Sequence, residues 1–435
     1  MSYSSELLLS NIKSFSTAPT LWVAYSGGCD SHALLHSLVE LRSKIKAEIK
    51  AIHINHGLSP LANEWEEHCR VICEQLEVPY VAIKVNAVAN KKSPEEAARI
   101  ARYAEWKKLI KKDEAILLAH HQDDQAETVL IQLLRGAGVK GLAAMAPQQN
   151  FSMGLLCRPM LGFKREEIVS YAVEKSLNWI DDPSNFDTDF DRNFLRHEIV
   201  PLLETRWPSL KKTLSRTASH TAEADQLLTE LAEQDWHNVK ESHQIKISAL
   251  TALDKRRQRN VLRYWLVTIC KLTLPDTVHL QRILEEVLTA AEDAKPEVVW
   301  QGGEVRRYQG LLYAQAKLVE PNNSIPLIWS ELNKPFQSGE IKLTATSSEG
   351  KGLSQDKLKA ADISVKFRQG GETCRPVGRG QTHQLKKLFQ EWQVPPWKRA
   401  SVPLIYVGDE LAQVVGYCLC EPFDAAETEA SWVIE

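Results

Sequence analysis

An apolar run at residues 21–25, Leu-Trp-Val-Ala-Tyr, breaks directly into Ser26-Gly27-Gly28-Cys29-Asp30-Ser31. A strand that turns on two glycines into a helix start aims successive backbone N–H groups at one point, the arrangement that receives a phosphate. Gly27 and Gly28 permit positive φ and close approach of a ligand. Ser26 and Ser31 add hydroxyl donors, and Asp30 adds a carboxylate able to ligate a cation. A Walker loop needs Lys before its Ser/Thr, and Cys29-Asp30 stands in that place, which argues against an ordinary kinase or GTPase loop. The competing reading, a glycine turn with a helix N-cap, is weakened by the strand before it and the Asp-Ser pair that closes it.

The surrounding pattern sets the fold class. Short apolar runs at 21–25, 49–54, 80–85 and 115–119 alternate with amphipathic stretches that begin near Ser31, Asn63, Ser93 and Asp123. Such alternation predicts an α/β parallel sheet covered on both faces, with ligands at the carboxyl ends of the strands. The glycine loop, His53-Ile54-Asn55-His56 and His120-His121 all follow candidate strands, so they are expected to gather at that edge. Residues 210–292 read as helical throughout, with leucines such as Leu227, Leu228 and Leu231. β-branched runs at 363–365, 402–407 and 412–416 suggest a small mixed α+β C-terminal domain. Polar stretches at 321–326 and 346–352 read as linkers. The expected organisation is therefore a catalytic domain at 1–208, a helical domain at 209–320, a linker region at 321–360 and a C-terminal domain at 361–435. Its 435 residues accord with about three domains.

Composition restricts the class of protein. Hydrophobic content of 43% and charged content of 25% are ordinary for a soluble globular chain. No long apolar run or signal-like N-terminus is present, so a cytoplasmic protein without a membrane segment is expected. The eight cysteines lack regular pairing distances and read as reduced, buried thiols. Cys69 and Cys73 are four apart and Cys418 and Cys420 two apart; neither is a Cys-x-x-Cys, which gives little support for a zinc or iron–sulfur site. The net charge of −3 does not advertise a nucleic-acid binder. Its distribution is more telling: between Lys366 and Arg399 eight basic residues face only Glu372 and Glu391. A second basic cluster, Lys255, Arg256, Arg257, Arg259 and Arg263, lies opposite Val261, Leu262 and Trp265 on a helical pattern. Either is a candidate RNA contact or simply a solvated face.

The remaining chemistry is acidic and imidazole-rich. On a helix from residue 120, His120, Asp123 and Glu127 share one face and His121, Asp124 and Thr128 another. A first-turn Asp pair can merely complement the helix dipole. Two imidazoles and three carboxylates exceed that need, and one aspartate suits Mg²⁺ beside ATP. Ser93-Pro94-Glu95-Glu96 reads as a capping box, after which Arg99 and Arg102 project for phosphate or nucleic acid, unless Arg99 pairs with Glu95. Arg135 to Gly138 reads as a helix C-cap with a second glycine turn. The turn at 181–185 leads into Arg192-Asn193 and Arg196, a set able to bind an amino acid or a pyrophosphate leaving group.

Together these residues carry a family resemblance. Ser26 to Ser31 matches the Ser-Gly-Gly-x-Asp-Ser signature of the N-type ATP pyrophosphatases. The order of His53 to Leu58, Glu96 to Tyr103, His120 to Thr128, Leu134 to Gly138, the 181–185 turn and Arg192-Asn193 resembles the tRNA(Ile)-lysidine synthetases. The C-terminal runs at 367–372, 383–390 and 394–397 are similar to the last domain of the longer members. The resemblance implies a ligase that uses ATP and L-lysine to convert the wobble cytidine of a CAU-anticodon tRNA(Ile) into lysidine through an adenylated base. It implies ATP held by Ser26, Gly27, Gly28, Cys29, Asp30 and Ser31, with Asp30 and Asp124 holding Mg²⁺ or acting as base and Arg192 or Arg196 serving the leaving group. His53, His56, Arg99, Arg102, His120, Asp123, Glu127, Asn193 and Arg196 become candidate substrate contacts, and Lys386 and Lys387 candidate tRNA contacts. The middle and C-terminal domains are implied to bind tRNA, and a homodimer is left open. Two rivals stand beside this reading: a tRNA thiolation enzyme of the same superfamily and an ATP-responsive tRNA-binding protein without catalysis.

Overall fold

The alternating pattern folds into a six-stranded sheet in a computed structural model that describes residues 3–12, 17–85, 94–291, 294–317, 327–338 and 341–435. Its strands are β1 (Thr20–Ala24), β2 (Glu48–Asn55), β3 (Tyr80–Lys84), β4 (Ala115–Leu117), β5 (Gln148–Phe151) and β6 (Gly154–Cys157). Their order is β3-β2-β1-β4-β6-β5, parallel except for β5 at the edge. In register, Leu21 faces Ile49 on one side and Ala115 on the other. Successive strand residues enter opposite layers: Leu21, Val23 and Tyr25 join one core, while Trp22 joins a second with Ile52, Ile54 and Ile116. Both faces are covered, as a parallel sheet requires.

Helix α1 (Ser5–Ile12) precedes the sheet, and α2 (Cys29–Glu40), α3 (Ala62–Gln75), α4 (Pro94–Leu109) and α5 (Gln122–Leu134) connect or follow its parallel strands. The four expected strands and four expected helices are all present. Ser93 of the expected capping box and the side chain of Glu95 lie outside the described residues.

The chain divides into two compact units, Met1–Leu231 and Ala232–Glu435. Within the second, the domain expected at 209–320 is not only helical: it contains an antiparallel five-stranded sheet built from Lys240–Glu241 and Gln244–Lys246, inside the stretch read as helix, with Glu297–Trp300, Gly303–Tyr308 and Leu311–Gln315 beyond it. It packs with helix Lys255–Tyr264 around Trp236, Val261, Leu262, Trp265 and Val305. Helical periodicity dominates that sequence, whereas the sheet is assembled from short strands brought together over 70 residues of chain.

A further correction concerns residues 346–352, expected as a linker. They overlap strand Ala345–Glu349, which pairs with Ala430–Ile434, and strand Leu353–Ser354 follows at once on the other side of the same partner. The strand is polar because most of its side chains stay at the surface, so its sequence resembles a loop. The other expected linker, 321–326, lies outside the described residues. A second five-stranded sheet runs Leu327–Ile328, Ile363–Lys366, Leu404–Val407, Glu410–Val414 and Cys418–Leu419. Helix Leu385–Glu391 carries Lys386 and Lys387 at the surface and buries Leu385, Leu388 and Phe389.

Candidate active site

The glycine loop leaves the carboxyl end of β1 and is fixed from inside. Ser31 Oγ donates to the Gly28 carbonyl at 3.0 Å and accepts from the Ser26 N–H at 3.2 Å, with the two serine hydroxyls 3.0 Å apart. Gly27 has φ +87°, and the Ile180 N–H donates to its carbonyl at 2.9 Å. A Cβ on Gly27 would stand 2.6 Å from Ile180 Cδ1 and 2.9 Å from Cys69 Sγ, so this position requires glycine for space as well as conformation. Gly28 is the N-cap of α2 and supplies no side-chain acceptor, which leaves the first turn suited to an anion.

His121 joins this loop to the acidic helix. In extended conformation it caps α5: its Nδ1 accepts from the Asp124 N–H at 3.4 Å, and Asp124 Oδ2 accepts from the His121 N–H at 3.0 Å. His121 Nε2 lies 3.5 Å from Asp30 Oδ2. Burial opposes charge on His121, but Asp124, Asp30 and Asp123 outweigh it and raise its pKa. Sequence reasoning chose His120 instead. His120 is half-buried with its Nδ1 enclosed and unpartnered, and desolvation lowers its pKa to about 4, so it is neutral. A His N-cap is easily missed, because Ser, Thr, Asp and Asn are the usual capping residues; the Asp three positions later was the available signal.

The expected grouping of Asp123 with Glu127 is replaced by Asp124 with Glu127, an i,i+3 pair on the same helix, because one arginine holds both carboxylates. Arg196, in a π turn at Leu195–Ile199, bridges them: Nε and Nη2 donate to the two Glu127 oxygens at 2.7 and 3.0 Å, and Nη2 donates to Asp124 Oδ1 at 3.1 Å. Burial alone would raise the Asp124 pKa, yet His121, His120 and Arg196 hold it well below the usual carboxylate range. For Glu127 burial prevails and its pKa is raised, with Arg196 opposing. Arg192 approaches Glu127 at 3.6 Å and donates to Thr128 Oγ1 at 3.3 Å, while about a third of its side chain stays exposed. Asp123 turns instead to Lys211 Nζ at 2.6 Å and the Arg165 N–H at 3.2 Å. Lys211 carried no motif in the sequence.

The other candidates fall into two groups. His53 lies inside the sheet with Nδ1 3.0 Å from the Tyr25 carbonyl, and His56 has a buried, unpartnered Nδ1. Burial first, then the Arg102 charge, lowers the His56 pKa to about 4. Arg99 lies over Tyr103 and Arg102 over Trp106, with ring-centroid distances of 5.0 and 5.7 Å. Asn193 donates to the carbonyls of Ser184 and Asp187 at 2.9 and 2.8 Å, so it organises the turn near residue 185. Lys386 and Lys387 belong to the second compact unit. The basic segment around them is more neutral than its sequence: Arg375 pairs with Glu421 and Lys366 with Asp409, acids beyond the counted window. Arg368 and Arg379 pair with Glu372 and Glu391. Arg399 is buried and donates to the Val394 carbonyl. Among the described residues, Lys386, Lys387, Lys398 and the buried Arg399 of this segment remain outside ion pairs.

Asp30 Oδ1 is buried and has no hydrogen-bond partner among the described residues. Both Asp124 oxygens are engaged, by His121 and Arg196. Asp30 is therefore the open carboxylate of the site, placed at a helix N-terminus shaped for phosphate.

Comparison with known families covers most of the chain. Residues 3–203 match the model of a PP-loop domain, 245–313 that of the TilS substrate binding domain, and 363–435 that of the TilS substrate C-terminal domain. A tRNA(Ile)-lysidine synthase of Coxiella burnetii is 43% identical over 100% of this chain and 96% of its own length. One from Legionella pneumophila is 40% identical over 95% of both chains. One from Pseudomonas syringae is 40% identical over 94% of this chain and 91% of its own. With such identity over almost its whole length, the chain belongs to the tRNA(Ile)-lysidine synthase family.

Proposed function

We propose that the chain uses ATP and L-lysine to convert the wobble cytidine of a CAU-anticodon tRNA(Ile) into lysidine, which changes the tRNA's codon and amino-acid specificity from methionine to isoleucine. The C2 carbonyl oxygen of the base attacks the α-phosphorus and diphosphate leaves. The ε-amine of lysine then attacks C2, the C2–O bond breaks, AMP departs and the amine gives up its proton.

The observation that carries this reading is the continuous set of contacts Asp30–His121–Asp124–Arg196–Glu127, which starts at the phosphate-shaped loop. Asp30, with its open Oδ1, fits a Mg²⁺ ion that takes most of its other ligands from water and phosphate, and Asp124 would join it by giving up one of its contacts to His121 or Arg196. Such an ion, when bound, offsets phosphate charge. Held ionised, Asp124 also suits the positioning of a cationic group such as the lysine ammonium. Arg192, less committed than Arg196, is the guanidinium for the leaving group.

Lys386 and Lys387, with Lys255, Arg259 and Arg263 of the second cluster, whose Arg256 and Arg257 pair with Asp254 and Asp235, supply phosphate contacts for the tRNA, and the reaction belongs to the cytoplasm, where ATP and tRNA meet. Among the described residues no helix is long and apolar enough to cross a membrane. Sulfur transfer at the loop is disfavoured because burial pushes the Cys29 thiol up to about 12, away from the nucleophilic thiolate. The test omits ATP, lysine and tRNA in turn while following diphosphate, AMP and lysine incorporation. Asp30→Asn is expected to lower lysine transfer on the order of 100-fold with the fold kept; unchanged transfer would remove Asp30 from the mechanism, and lysine-independent AMP formation would remove the lysine.

A further inference from the structure

Three cysteines that the sequence keeps apart meet in the C-terminal unit. Cys374 ends the short strand Thr373–Cys374, while Cys418 and Cys420 stand two apart on the last stretch of the neighbouring sheet. Extended backbone sends alternate side chains to one side, so a Cys-x-Cys there presents both sulfurs together. The two segments are tied by the backbone: the Val377 N–H donates to the Leu419 carbonyl at 3.1 Å and the Glu421 N–H to the Arg375 carbonyl at 2.8 Å. All three Sγ atoms lie within 4.8 Å of one another. Among the described residues no other three His, Cys, Asp or Glu side chains bring ligand atoms so close.

The separation of Cys374 Sγ from Cys418 Sγ is 3.7 Å. A tetrahedral ion with Zn–S bonds of about 2.3 Å has a sulfur–sulfur edge of about 3.8 Å. Cys374 and Cys420 are buried, whereas Cys418 is half-exposed, and Cys374 also borders an open cleft of about 450 Å³ together with Arg375, Tyr406 and Glu421. Solvent therefore reaches one side of the cluster, where a fourth ligand belongs.

We propose that Cys374, Cys418 and Cys420 form a trithiolate site for a thiophilic d¹⁰ ion, zinc in the first instance, completed by a solvent ligand. This reverses the inference from cysteine spacing, since the third ligand comes from 44 residues upstream of the Cys-x-Cys pair. The ion would staple strand Thr373–Cys374, whose antiparallel partner His383–Gln384 runs into the Lys386-Lys387 helix, to the sheet beside it. This proposal does not depend on the reaction assigned to the N-terminal unit.

The test measures metal in the full-length protein, purified under reducing conditions without chelator. About one zinc per chain is expected, released by a mercurial thiol reagent and followed by a metallochromic dye. Replacement by Co²⁺ should give thiolate-to-metal charge-transfer bands and tetrahedral d–d bands. Cys418→Ser, at the most exposed ligand, should lower zinc retention at least tenfold; Cys270→Ser should leave it unchanged. Copper(I) bound in preference to zinc would keep the site and overturn the choice of ion. Three freely titrating thiols with no Co²⁺ spectrum would overturn the site, as would a Cys374–Cys418 disulfide in protein that takes up no metal.

Discussion

Arg196→Ala tests whether the charge network holds the site together. Arg196 gives Glu127 two parallel hydrogen bonds and Asp124 a third, and the Glu127 side chain is only 3% exposed. Removing one partner of such a buried pair costs about 3–5 kcal/mol, because the other charge is left without compensation. Arg196 itself is about a quarter exposed, which places the expectation at the lower end, about 3 kcal/mol. Urea denaturation at neutral pH, followed by tryptophan fluorescence and far-UV circular dichroism, measures the loss.

The pH dependence separates this cause from lost packing. Glu127 already has a raised pKa, first by burial, and without Arg196 it rises further. A group with a raised folded-state pKa contributes stability at low pH that is lost as pH rises through that pKa. The deficit of the variant should therefore be largest at pH 8 and shrink toward pH 5. Asp124 works in the opposite sense, but its depressed pKa matters only as pH falls below the ordinary aspartate range, outside this window. Glu127→Gln in the Arg196→Ala background should recover part of the loss. A deficit below about 1 kcal/mol, or one constant from pH 5 to 8, would refute the reasoning and mark the pair as solvent-screened.

Gly27→Ala combines a left-handed backbone penalty of about 1–2 kcal/mol with overpacking of about 1–3 kcal/mol against Ile180 and Cys69. It should lower the urea midpoint and weaken ATP binding together; a midpoint unchanged from the parent would contradict the close packing. His121→Gln should remove a stabilisation present at low pH and lost as pH rises through the raised His121 pKa, so the stability gap to the parent narrows in alkali. A gap independent of pH would mean that the Asp30 and Asp124 carboxylates do not favour the charged ring, which on protonation exchanges the Asp124 N–H at Nδ1 for the Asp124 carboxylate 3.4 Å away. Changing Lys386 and Lys387 to Ala should weaken tRNA binding and reduce the log–log salt slope by about 1.4–1.8, two phosphate contacts' worth. An unaltered slope would make this helix face a solubilising surface.

Local chemistry made much of the first unit legible in the sequence. Glycine at positive φ, the strand period of two and the helix period near 3.6 act over a few residues, so the loop, its strand and its helix follow from their own stretch. Four of the five parallel strands and the four helices needed nothing more distant, whereas the fifth parallel strand β6 and the antiparallel edge β5 gave no such signal. Where burial and propensity conflict, the sequence misleads: the polar strand at 345–349 resembles a linker because only its pairing with 430–434 reveals it.

The sequence by itself determined the phosphate loop, the α/β alternation and the family, all carried by contiguous motifs. Only the tertiary structure decided that Asp124, not Asp123, joins Glu127 on Arg196, that His121 spans Asp30 and Asp124, and that Glu421 and Asp409 neutralise part of the basic segment. Only it brought Cys374 to Cys418 and Cys420. The physical reason is common to all of these. Charge pairing and metal ligation depend on distances of a few ångströms in space, and partners 43 to 91 residues apart leave no trace in local periodicity.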